Sequence, residues 1–243
     1  MEDKTTNYVY DSVFVTNEVD ASRKYLANVF IWMFVALGIS AVCAYIFAND
    51  IDLLNLIINT TTGGFTTLGM VVVFSPLAFS LVINFGFSRI SYPVMVLLFL
   101  AYAVVIGMSL SVILLIYTAS SIFSVFITAS LLFGVMAVAG YYTTQDLTKF
   151  GSILYMFFIG IIIASIVNFF FASETVSYII AYIGVAVFVG LTAYYIQMLK
   201  RIGAGIEYGD AASKKLVIIG AFTLYTTFIN LFLSLLRIFG RRN

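Results

Sequence analysis

Seven apolar runs, each close to the length that crosses a bilayer, constrain this chain more than any other feature. They are Tyr25–Ala48, Leu68–Phe85, Pro93–Tyr117, Ile122–Tyr142, Ser152–Phe171, Val176–Leu199 and Leu216–Phe239. A helix needs about 20 apolar residues to cross the hydrocarbon core. Hydrocarbon offers the backbone no hydrogen-bond partner, so runs of this kind become helices. The connections 118–121 and 172–175 are so short that their neighbours must form antiparallel hairpins. The expected fold is an all-α membrane protein with seven transmembrane helices over 25–239. A polar tail at 1–24 precedes them and a short basic end at 240–243 follows.

Composition supports this reading. Only 9% of the residues are charged and 63% are hydrophobic, whereas a soluble domain carries about 25% charged residues. The tail holds Glu2, Asp3, Lys4, Asp11, Glu18, Asp20, Arg23 and Lys24. That is unlike a signal peptide, whose short basic start leads into a short apolar stretch. The tail reads as soluble, disordered or lying at the surface.

Lysine and arginine set the orientation, because they collect in cytoplasmic loops. The tail holds Lys4, Arg23 and Lys24. The second loop holds Arg89, the fourth Lys149, and the sixth Lys200, Arg201, Lys214 and Lys215. The first, third and fifth loops hold none. The N-terminus is therefore expected in the cytoplasm. Seven crossings then place Arg237, Arg241 and Arg242 outside, against the same rule. The length of the last run favours a full crossing.

Small residues recur every four positions: Ala36, Ser40, Ala44; Ala103, Gly107, Ser111; Gly160, Ala164, Asn168; and Ala186, Gly190, Tyr194. Such stripes let helices approach closely and read as packing seams. The last run differs. Thr223, Thr227, Asn230, Ser234 and Arg237 fall on one helix face. A polar stripe is costly against lipid, so this helix is expected inside the bundle or beside a wet cavity. Asn84, Asn168 and Gln197 are the other strongly polar groups near membrane depth.

Several activities lose their chemistry. There is no histidine, and one cysteine, Cys43, so no intrachain disulfide and no cysteine-rich metal site is possible. No acidic residue lies inside a run. That removes the usual carboxylates of ion pumps and of aspartyl or metal-dependent intramembrane proteases. The serine mechanism lacks its histidine base. Neither an enzyme nor a bound cofactor or metal is expected. A net charge of +1 points to no nucleic acid.

Five stretches, in order, resemble the Bax inhibitor-1/YccA family of membrane proteins. They are YAVVIGMSLSVI (Tyr102 to Ile113), GYYTTQDLTKFGSILYM (Gly140 to Met156), IGIIIASIVNFF, GLTAYYIQMLKR, and LYTTFINLFLSLLRIFG (Leu224 to Gly240). The resemblance implies seven helices with the last one central. It implies a bacterial inner-membrane protein acting as a pH-sensitive calcium leak or as a partner of an FtsH-type membrane protease. The family's leak is attributed to two aspartates. Here Tyr195 stands in place of the first and Thr227 in place of the second, while Arg89 matches the family's basic partner. A carboxylate pair can share a proton and gate a path. Tyrosine, which titrates near about 10, and threonine cannot. A leak path would then run beside the last helix past Thr223, Thr227, Asn230 and Gln197, and any remaining titrating gate falls to Glu207 or Asp210 in the sixth loop.

Overall fold

A computed structural model describes residues 4–59, 64–86, 89–205 and 211–243, with the side chains of 4–18, Asn84 and Ala211 excepted. The expectations that rest on Asn84, Glu207 and Asp210 lie outside the described residues. Eight helices form among those described: α1 (Lys4–Asn49), α2 (Ile51–Ile57), α3 (Thr67–Phe85), α4 (Tyr92–Ile116), α5 (Ala119–Tyr142), α6 (Thr148–Phe171), α7 (Glu174–Ala204) and α8 (Ala211–Phe239). The polar tail is not a separate coil: its backbone is helical from Lys4 and continuous with the first apolar run.

Local chemistry sets the breaks. The Asp50 carboxylate accepts from the Asp52 and Leu53 amides and starts α2. The Thr66 hydroxyl accepts from Gly69 and starts α3. Pro93 opens α4, where a missing N–H costs nothing. Ala172, left-handed at φ 49°, ends α6. Pro76 lies inside α3 and cannot donate to the Val72 carbonyl one turn back. The Ser75 hydroxyl at 3.1 Å and the Ser109 hydroxyl of α4 at 3.4 Å donate to that carbonyl instead.

Six helices of the described residues are long and apolar enough to cross a membrane: Val19–Asn49, Tyr92–Ile116, Ala119–Tyr142, Thr148–Phe171, Glu174–Ala204 and Ala212–Phe239. The second of the seven expected spans is represented only by a shorter apolar helical stretch, Thr67–Ile83. Seven crossings are thus not established by length. Helix α3 itself runs 19 residues, from the cap at Thr66 to its end at Gly86.

Burial places α8 at the centre. Two thirds (67%) of its span is buried, against 39% for α7 and 0% for α6. It packs against α1, α4, α5 and α7. Side chains such as Phe34, Leu97, Leu131 and Phe170 face outward, as the lipid-facing surface of a bundle requires. Buried aromatic rings fill the core. Phe99 and Tyr102 of α4 meet Phe222 and Tyr225 of α8 edge to face, with centroids 4.9 to 6.2 Å apart.

The seams divide. On α1 and α4 the small residues face one another. A Cβ on Gly107 would stand 2.6 Å from both the Cys43 Cβ and the Ser40 carbonyl oxygen, so glycine permits that approach. The α6 stripe divides: Gly160 faces open space, while Asn168 is buried and bonds to Ser177 of α7. In α7, Ala186 is exposed, while Gly190 and Tyr194 pack on Leu154 and Gly151 of α6.

The bundle has two ends. At one end the Ser22 hydroxyl donates to the Lys200 carbonyl at 3.1 Å and the Tyr25 hydroxyl to the Leu216 carbonyl at 2.9 Å. At the other, the Thr118 amide donates to the Arg241 carbonyl at 3.0 Å and the Asn243 amide to the Ile116 carbonyl at 2.9 Å. The Arg242 guanidinium reaches Glu174 there at 3.1 Å. Helix α8 therefore traverses the bundle. The basic residues after it are held by the α4–α5 turn and by the carboxylate at the start of α7.

Candidate functional site

Thr227 and Asn230 of the α8 polar stripe bond within their own helix. The Thr227 hydroxyl, buried, donates to the Thr223 carbonyl at 2.8 Å, and the Asn230 amide donates to the Thr226 carbonyl at 2.8 Å. Ser234 packs against Gly184 of α7, and Arg237 is exposed at the helix end. Thr223 is half-buried. No described side-chain nitrogen or oxygen that is fully shut off from solvent lacks a partner.

Tyr195 and Thr227 are not joined. Gly184 lies against Ser234 and Leu199 against Gly220, a register that sets Tyr195 level with Thr223 and Leu224, a turn from Thr227. Tyr195 is half-buried with its ring 5.3 Å from that of Tyr194. Among the described residues no hydrogen bond links it to α8. Arg89 is exposed in the α3–α4 connection.

Gln197 and Asn168 act as clamps on turns. Buried Gln197 accepts from the Leu147 amide at 2.9 Å and donates to the Gln145 carbonyl at 2.7 Å, closing the α5–α6 turn onto α7. Arg201 adds a bond to the Gln197 oxygen at 3.2 Å and an ion pair to Asp146 at 2.8 Å. Bonding from the Thr148 hydroxyl, then from Arg201 and the Thr148 amide, holds the exposed Asp146 carboxyl down at about 2. Asn168 donates to the Ser173 carbonyl at 3.1 Å and the Ser177 hydroxyl at 2.7 Å, and accepts from the Ser173 amide at 3.2 Å. It fixes the α6–α7 turn around left-handed Ala172.

Two features escaped sequence reasoning. The first is a buried knot in which the Ser40 hydroxyl lies 2.6 Å from the Tyr225 hydroxyl and 2.7 Å from the Ala103 carbonyl, tying α1, α4 and α8. Ser40 was visible only as a small seam residue. The second is a groove of about 960 Å³ between α1 and α5, floored by Phe228, Ile229 and Phe232 of α8. Ser40 and Ser130 are the uncharged polar side chains along its apolar length, and Arg23, Tyr141 and Tyr142 stand at one mouth. No strand-like or helical periodicity announces a gap between two helices that are distant in sequence.

Comparison with known proteins decides the lineage. The family described as "Inhibitor of apoptosis-promoting Bax1" matches residues 22–243. The chain belongs to the Bax inhibitor-1 family. The inner membrane protein YbhL of Escherichia coli (strain K12) is 42% identical over 221 residues, covering 90% of this chain and 92% of its own length. An uncharacterized protein of Rickettsia prowazekii is 40% identical over 220 residues, 90% of each chain. One from Borreliella burgdorferi is 38% identical over 225 residues, 93% of this chain and 95% of its own. The family member described here is thus a multi-pass helical membrane protein. Among its described residues no group of three or more histidine, cysteine or acidic side chains is placed to hold a metal ion.

Proposed function

We propose that this family member is a non-enzymatic, non-conducting binding module of the bacterial inner membrane, a modulator of membrane-protein quality control that engages an FtsH-type membrane protease. In this reading α3 makes the seventh crossing. Its antiparallel register on α4, with Val72 beside Ser109 and the Phe79 ring 6.2 Å from that of Tyr102, supports this. The mouth beside Arg23 and the loop at 200–215 then face the cytoplasm, as the lysine and arginine distribution favours.

The observation that carries the reading is where the α8 polar atoms go. Thr227 and Asn230 donate within their own helix, and the large groove is apolar. An ion path needs oxygens turned toward water or the ion, and Ca²⁺ favours several of them, carboxylates included. Tyr195 and Thr227, where the family resemblance places two aspartates, provide no shared proton and no charge.

Calcium flux into liposomes holding the purified chain tests this. The expected flux equals that of protein-free vesicles at every pH between about 6 and 8, a window in which the chain has no histidine to titrate. Flux well above that level, with a steep pH response, favours the calcium-leak reading suggested by the family resemblance and overturns the proposal. Co-purification of an FtsH-type protease from bacterial membranes is the positive arm, and its failure under crosslinking counts against the partner.

A further inference from the structure

We propose that the groove between α1 and α5 is a binding site for one anionic glycerophospholipid, drawn from the leaflet at the Arg23 end. The groove runs along α1 from Arg23 past Gly38 to Tyr45. At 1.5 Å per residue, Arg23 to Gly38 spans about 22 Å. One leaflet, headgroup region included, is about 21 Å deep. A lipid with its phosphate at Arg23 therefore ends its chains near Gly38 and passes Gly134 of α5, seven residues from Tyr141, about halfway.

Those two glycines keep the groove open at both depths. A Cβ on either meets nothing within 4 Å. The floor beneath them is apolar and suits hydrocarbon. The mouth is the opposite. The Arg23 side chain is 67% exposed, and its acidic neighbour Asp20 lies 3.9 Å away and is itself exposed. Such a pair is weak; the guanidinium also bonds the Tyr141 hydroxyl, and its remaining N–H groups can take a phosphate in a charge-assisted bond. Tyr141 and Tyr142 stand beside it. Basic pockets between membrane helices recognise anionic headgroups in this way.

Polarity selects a lipid over a partner helix. The groove is apolar along about 33 Å of α1, and its charged lining residue, Arg23, stands at one mouth, the profile of hydrocarbon chains below a headgroup.

The test uses the full chain, solubilised and read by native mass spectrometry, with phosphatidylglycerol and phosphatidylcholine as competing probes. One tightly held phosphatidylglycerol per chain is expected. Gly38→Leu with Gly134→Leu fills the groove and should abolish retention at an unchanged melting temperature. Arg23→Gln lies on the surface and leaves the groove open. It should keep a lipid but lower the preference for phosphatidylglycerol about fivefold, the factor that one surface charge near a headgroup provides. Unchanged retention in the folded filled variant, or unchanged preference in Arg23→Gln, overturns the proposal. So does a dimeric parent that becomes monomeric on filling, because a second copy then occupies the groove.

Discussion

Gln197→Leu separates a turn clamp from a path-lining residue. The substitution keeps the volume roughly constant and removes three bonds: from the Leu147 amide, to the Gln145 carbonyl, and from Arg201. Arg201 retains Asp146 and Thr148, so its loss is small. The Leu147 amide and the Gln145 carbonyl lose the side chain that holds them against α7. A buried donor or acceptor left unsatisfied costs about 1–3 kcal/mol. Water reaches the exposed Gln145 side of the turn, so the lower half of that range applies there. The sum is about 2–5 kcal/mol. It should appear as a lower denaturant midpoint in detergent and as faster hydrogen exchange at the Leu147 amide, while amides in the α4–α8 core stay protected. Ion flux in liposomes should not change. A variant within about 0.5 kcal/mol of the parent, the range of ordinary surface changes, with unaltered exchange at Leu147, would refute the clamp. Altered flux without altered stability would return Gln197 to a path.

Three further outcomes follow from the same geometry. Gly140→Ala places a Cβ over the Ala193 backbone, 2.7 Å from its Cα, and should destabilise the α5–α7 contact by about 1–3 kcal/mol or more, read by thermal unfolding; Gly160→Ala, in open space inside α6, should instead stabilise by up to about 1 kcal/mol. Asp146, held at about 2 by Thr148 and Arg201, has a depressed folded value, so its contribution is complete above the unfolded carboxylate range near about 4 and is lost as pH falls toward about 2. An NMR titration of the labelled carboxyl checks this, and a midpoint near the ordinary value would contradict the clamp. For orientation, Lys214→Cys is the informative probe, because Ser213 is buried and Lys214 is exposed; reagent confined to the periplasmic side of intact cells should not label it, and ready labelling would reverse the proposed topology.

How the site looks from sequence depends on the range of each interaction. The α8 stripe is legible because helical period alone puts Thr223, Thr227 and Asn230 on one face. Whether they bond across helices or back to their own carbonyls is not, since a threonine or asparagine hydrogen can reach the previous turn with no partner at all. Gln197 and Asn168 stand out as polar residues in apolar text, but sequence does not reveal that each folds over a turn.

The sequence by itself determined the class: long apolar runs in a chain with 9% charged residues can only become lipid-embedded helices, because backbone polar groups in hydrocarbon must bond within their own segment. It also indicated that the last helix belongs inside, since its polar stripe is costly against lipid. Tertiary structure alone decided the rest. It brought the C-terminal arginines onto Glu174 and the α4–α5 turn, more than 60 residues away in sequence. It held Tyr195 a turn from Thr227, because the glycine contacts of α7 and α8 set their register. It left α1 and α5 apart over the floor of α8. Lipid is as apolar as leucine, so hydrophobicity does not choose which helices touch; the fit of small residues such as Gly107 and Gly140 does, and that fit exists only between segments already brought together.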